Sequence, residues 1–150
     1  MNKAKLIGIN HLALEVGDLE DALALYEKLF SFEYRAKGTK MAFLDMGDQF
    51  IAVIGERTQP KDDERHFGLV VDDVAAVEAA LRETGTKYRP SPKGGLDFDD
   101  PWGNHFQIID YREIQFERTE GVKQKLGISG LEKTEQAKGE IADRGLGESS

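Results

Sequence analysis

The segment HLALEVGDLEDALALYEKLFSFEYR, from His11, is echoed 55 positions later by HFGLVVDDVAAVEAALRETGTKYR, from His66. Both open on histidine, run through apolar residues to an aspartate, continue with a helical pattern and close on Tyr-Arg. A second pair, GDQFIAVI from Gly47 and GNHFQIID from Gly103, stands 56 positions apart. Two matched pairs at nearly one offset identify a duplicated supersecondary unit. The chain is therefore expected to fold as two copies of one motif.

Each copy reads as strand, helix and further strands. In the first, the apolar stretch Ile7 to Val16, bounded by Gly8 and Gly17, predicts a strand. Asp18 caps a helix over Leu19–Phe30 whose Ala22, Tyr26, Leu29 and Phe30 share a face. Phe32 to Ala36, Met41 to Met46 and Gln49 to Ile54 are short strands, the last two joined at Gly47-Asp48. In the second, His66 to Val71 is a strand. Asp72 or Asp73 caps a helix over Val74–Thr84, and Gly85 ends it. Thr86 to Arg89, Leu96 to Asp99 and His105 to Tyr111 complete the set. The expected fold is α+β: two βαβββ modules, about 6–55 and 65–111, paired in one domain over 1–112 as a cupped mixed sheet.

Residues 113–150 form a charged C-terminal tail. Val122 and Leu126 can share one helical stripe, with Gly121 and Gly127 as boundaries. From about Glu132 the chain offers little to bury, so disorder or a solvated helix is expected.

With 150 residues and no cysteine, the chain has room for one sizeable core and no disulfide or thiolate chemistry. No apolar run suits a signal peptide or a membrane span, so a cytoplasmic protein is expected. A net charge of −8 argues against nucleic acid and anionic membrane as partners.

Period-two alternation places His11, Ala13 and Glu15 on one strand face and His66, Gly68 and Val70 on the equivalent face of the second copy. Both imidazoles are expected to converge on one cavity, where Gln107 can meet them from the last strand. Glu15 and Trp102 are candidates for the walls of a substrate cavity. Trp102 serves equally as packing in its turn, and Glu15 and Asp45 are read as solvated. His105, beside a turn, is read as exposed. The Lys93-Gly94-Gly95 loop can hold an anion, though a mobile loop without ligand is the default.

The segments INHLALEVGD, HFGLVVDD and DPWGNHFQIID resemble the vicinal oxygen chelate superfamily, which includes glyoxalase I, extradiol dioxygenases, fosfomycin resistance and bleomycin resistance proteins. The resemblance covers roughly residues 6–111. It implies a small-molecule ligand, a homodimer and, in many members, a divalent metal (Mn, Ni, Zn or Fe) held by one histidine per module and a glutamate. The histidines fall on His11 and His66; the glutamate position falls on Gln107, a neutral ligand. A fourth ligand found in glyoxalase I falls, by internal alignment, on Ile51, which cannot ligate. Two readings stand open: a metal-dependent enzyme of lyase, isomerase, dioxygenase or thiol-transfer type, and a metal-free binding protein similar to the bleomycin resistance proteins.

Overall fold

Asp18 and Asp73 each open a helix in the same way: extended backbone at the cap, with the carboxylate accepting from the N–H three residues on. Those interactions satisfy amides that have no partner within the helix. They start α1 (Leu19–Leu29) and α2 (Val74–Thr84), and Gly85, at φ 71°, ends α2 in the left-handed conformation that glycine adopts without strain. The computed structural model describes residues 3–5, 8–92 and 94–147.

The first module comprises β1 (His11–Glu15), α1, β2 (Tyr34–Lys37), β3 (Met41–Asp45) and β4 (Phe50–Ile54). The second comprises β5 (Phe67–Val71), α2, β6 (Tyr88–Pro90), β7 (Leu96–Asp99) and β8 (His105–Asp110). The strands form two four-stranded sheets of identical order, β1-β4-β3-β2 and β5-β8-β7-β6, with one parallel pair and two antiparallel pairs in each. Most of the predicted strands start later or end earlier than expected, β7 matches its expected span, β2 and β6 run one residue further, and β2 carries a bulge between Tyr34 and Ala36. Ile7, placed in the first strand by sequence, lies outside the described residues.

Leu14, Val16, Ile51 and Val53 of the first module join Phe98, Phe106 and Ile108 of the second, and both helices, in one buried cluster. Tyr26 of α1 and Phe30, the residue that caps its C-terminus, pack on the Phe106 ring of β8. Both sheets thus turn the same face toward a common core, and their opposite faces point away from it. The junction is tight at Gly17, where a Cβ would stand 2.5 Å from Nε1 of Trp102.

The tail departs from expectation. A 3-10 turn (Tyr111–Glu113) leads to α3 (Glu120–Leu126) and α4 (Glu135–Asp143). Gly127 ends α3 as anticipated, whereas Gly121 lies inside it. On α4, Ala137 and Ile141 are buried, so this helix is not merely solvated. Lys133, also buried, donates to the carbonyl of Tyr111 and stands 3.6 Å above its ring. Arg118 bonds to Gln49 and to the carbonyl of Met46, tying the tail to the first module. None of the described helices is long and apolar enough to cross a membrane.

Candidate functional site

The outward faces of the two sheets carry the candidate side chains. On the first, His11 pairs with Phe50 and Ala13 with Ala52. On the second, Gly68 pairs with Gln107, which in turn pairs with Asp97. Residues in register on neighbouring strands point to the same face.

This register corrects the alignment of the closing strands. Ala13 and Gly68 are equivalent, each two residues beyond its histidine, so the counterpart of Gln107 is Ala52 and not Ile51. Ile51 points into the core at 5% exposure. The two turns differ in length: β3 ends at Asp45 and β4 begins at Phe50, whereas β7 ends at Asp99 and β8 begins at His105. Gly47 stands three residues before β4 whereas Gly103 stands two before β8, so the offset is 56 at the glycines and 55 in the closing strands. Ala52 has no donor atom either, so no fourth ligand comes from β4.

Each of the three proposed ligands has its N–H group occupied and a lone pair free. His11 Nδ1 lies 2.8 Å from Asn10 Oδ1, an oxygen that only accepts, so Nδ1 carries the hydrogen and Nε2 the lone pair. His66 Nδ1 lies 2.9 Å from the carbonyl oxygen of Glu64, with the same consequence. Hydrogen bonds of this kind from the distal ring nitrogen orient metal-binding histidines. Gln107 Nε2 donates to Ser91 Oγ at 2.8 Å, which leaves its carbonyl oxygen as the free acceptor. That oxygen lies 3.9 Å from where a Cβ on Gly68 would stand, so the missing side chain keeps its approach open.

His105 is arranged differently and is not exposed. It is 9% accessible, with Nδ1 3.3 Å from the Asp63 carbonyl and Nε2 3.2 Å from the Arg89 guanidinium. Both nitrogens are engaged, which removes it from the ligand set, although its ring stands 5.2 Å from that of His66.

The two main cavities among the described residues do not have both His11 and His66 in their walls. A cavity of 190 Å³ at the edge of β1 is lined by Ala13, Glu15, Arg57, His66 and Asn104, without His11 or Gln107. Glu15 accepts there from the Thr58 hydroxyl at 3.2 Å. Trp102 borders neither this cavity nor a larger apolar one of 450 Å³ beneath the tail; its indole covers Gly17 instead. Among the described residues, no three His, Cys, Asp or Glu side chains within the chain are grouped to hold a metal ion. Lys93 lies outside the described residues; Gly94 and Gly95 beside it form a turn bonded to Ser91.

Asp97 escaped the sequence reading. Alternation along Leu96–Asp99 puts Leu96 and Phe98 in the core and leaves Asp97 on the Gln107 face. That pattern was legible, and only the pairing with Gln107 gives it meaning.

Two βαβββ modules with polar residues on their outward faces define a paired-module α+β protein with the makings of a small-molecule site. Residues 8–108 match the Glyoxalase/Bleomycin resistance protein/Dioxygenase superfamily, and the chain belongs to it. It is 31% identical over 120 residues to the metallothiol transferase FosB of Bacillus licheniformis, covering 72% of this chain and 78% of that protein. FosB of Lysinibacillus sphaericus is 27% identical over 113 residues, covering 67% and 79%. Among solved structures, the fosfomycin resistance protein FosX of Listeria monocytogenes, complexed with Mn(II) and sulfate, superposes with a TM-score of 0.61 at 16% identity. The match covers 81% of this chain and 99% of that one. FosX of Mesorhizobium loti gives 0.58 at 21% identity, covering 69% and 92%. At these identities the structures show a shared fold.

Proposed function

We propose that the protein is a divalent-metal-dependent enzyme acting on a small molecule, of the thiol-transfer class suggested by its FosB relatives, with a site completed by a second copy. The observation that carries this reading is the state of the three ligands: His11, His66 and Gln107 each have their N–H tied to a protein oxygen and an acceptor atom free. His66 and Gln107 would come from one chain and His11 from the other. Both outward faces are open: His11, Ala13 and Gly68 are exposed. A second copy laid against them supplies what one chain lacks. A divalent ion held there acts as a Lewis acid toward adjacent oxygens of the substrate. The protein's own part is to present the two imidazoles, position the substrate and exclude water.

A second reading, a metal-free binding protein, is favoured by Gln107 and Ala52, where no carboxylate faces the histidines. Metal content and Mn²⁺ titration of the purified protein separate the two. The metal reading expects Mn²⁺ binding that the His11→Ala, His66→Ala double variant loses. Equal behaviour of both proteins leaves the binding-protein reading standing.

A further inference from the structure

We propose that Asp97 supplies the charged oxygen of the metal site, in place of the carboxylate absent at Gln107. The inference rests on the metal-dependent reading above and names the residue that gives such a site its charge.

Oδ1 of Asp97 is the one buried side-chain oxygen or nitrogen without a hydrogen-bond partner among the described residues. Native structures seldom leave such an atom orphaned; an explanation lies in a water, an ion or a ligand. Burial makes an unpaired carboxylate oxygen unfavourable, and a cation is the partner that offsets this most strongly.

Position points the same way. Asp97 and Gln107 are directly paired across the antiparallel β7–β8 ladder, so their side chains stand side by side on the outward face. Directly opposed Cβ atoms in such a ladder are roughly 4.5–5.5 Å apart. Two side chains at that spacing can reach one ion. On the far side of Gln107 is Gly68, which contributes no bulk. The other oxygen of Asp97, Oδ2, is 3.8 Å from the Arg89 guanidinium and 3.4 Å from His105 Nε2. The Arg89 guanidinium faces that oxygen and leaves Oδ1 for the site.

The pairing also explains why position 107 holds glutamine. A glutamate there would set two carboxylates in register on adjacent strands, and like charges directly opposed are unfavourable. The neutral amide removes the repulsion while keeping an oxygen donor. Affinity for a hard divalent ion depends on ligand charge, so one carboxylate among two imidazoles and an amide restores what Gln107 lacks.

Mn²⁺ titration by calorimetry on the full chain tests this, with four proteins: wild type, Asp97→Asn, Asp97→Asn with Gln107→Glu, and the His11→Ala, His66→Ala double variant. Asp97→Asn is expected to weaken binding at least tenfold, and the added Gln107→Glu to bring it back to within a few-fold of wild type. In wild type labelled with ¹³C at aspartate carboxyls, Mn²⁺ electron–nuclear double resonance should show a directly bonded carboxylate that Asp97→Asn lacks. This readout stands even if the variant is poorly folded. Unchanged Mn²⁺ affinity in Asp97→Asn, with binding lost in the histidine double variant, overturns the role of Asp97 and leaves the metal site intact. Weakening without rescue and without a carboxylate signal in wild type overturns it as well. A wild type that binds no Mn²⁺, or a double variant that binds as well, overturns the metal reading itself and the inference with it.

Discussion

The phenol of Tyr26, on α1, donates a 2.6 Å hydrogen bond to Oδ2 of Asp100, 74 positions away in the turn that opens β8. The same carboxylate accepts from the backbone N–H groups of Trp102 and Asn104 and from the Asn104 amide, so one aspartate organises the turn and receives the helix of the other module. Burial, and then the Asp100 charge, push the ionisation of Tyr26 far above its ordinary value. Tyr26→Phe removes one bond and leaves the other three, so a loss of about 1–2 kcal/mol is expected. Urea unfolding at neutral pH measures it. A loss under a few tenths would show that the turn holds the modules together without the phenol.

Removing residues 132–150 should be costly. Ile141 and Ala137 bury apolar surface, Lys133 bonds to the Tyr111 carbonyl, and Thr134 N–H donates to the Arg112 carbonyl at 2.8 Å. Burial of an isoleucine and loss of one or two such bonds together amount to roughly 2–4 kcal/mol. Comparing the urea midpoints of the full chain and the chain ending at Leu131 tests this. Coincident midpoints would return the segment to the dispensable tail that its composition implies.

Acid should loosen the attachment of α3 to the first module. Asp45 is half-buried, which by itself raises its pKa. Hydrogen bonds from Arg35, the Gly47 N–H and Lys125 outweigh this and hold the carboxyl below its ordinary value. A depressed folded-state pKa stabilises the fold above the unfolded value of about 3.9, and the effect is lost as pH falls through the folded value. Melting temperatures of wild type and Asp45→Asn should therefore differ by a constant amount from pH 7 to about 5 and draw together as the pH falls below about 4. A gap that does not narrow at all on going from pH 5 into strong acid would mean that the Asp45 charge contributes nothing.

What was legible in the sequence is local. Asp18, Asp73 and Gly85 mark helix ends by their own chemistry, and the repeat marks two modules with matching strand order. The register of β4 was not legible, because Gly47 and Gly103 stand at different distances from their closing strands, so matching them shifts the alignment by one, and in a strand one residue is the opposite face. That is why Ile51 stood where Ala52 belongs. Nor does spacing along the chain say how two modules face each other, so the expectation of His11 and His66 in one cavity could not anticipate a cavity walled by His66 without His11. The burial of Ala137 and Ile141 was hidden by an average over a charged tail. The helix that carries them lies against the turn after β8, a contact that no local pattern encodes.

Phe106 belongs to the second copy of the repeat, yet Tyr26 and Phe30, against which it packs, belong to the first. Opening either module would strip apolar cover from the other, so a core divided in this way is expected to resist melting by halves. The duplication visible in the letters should then leave no mark on the unfolding curve, which is expected to show one cooperative transition.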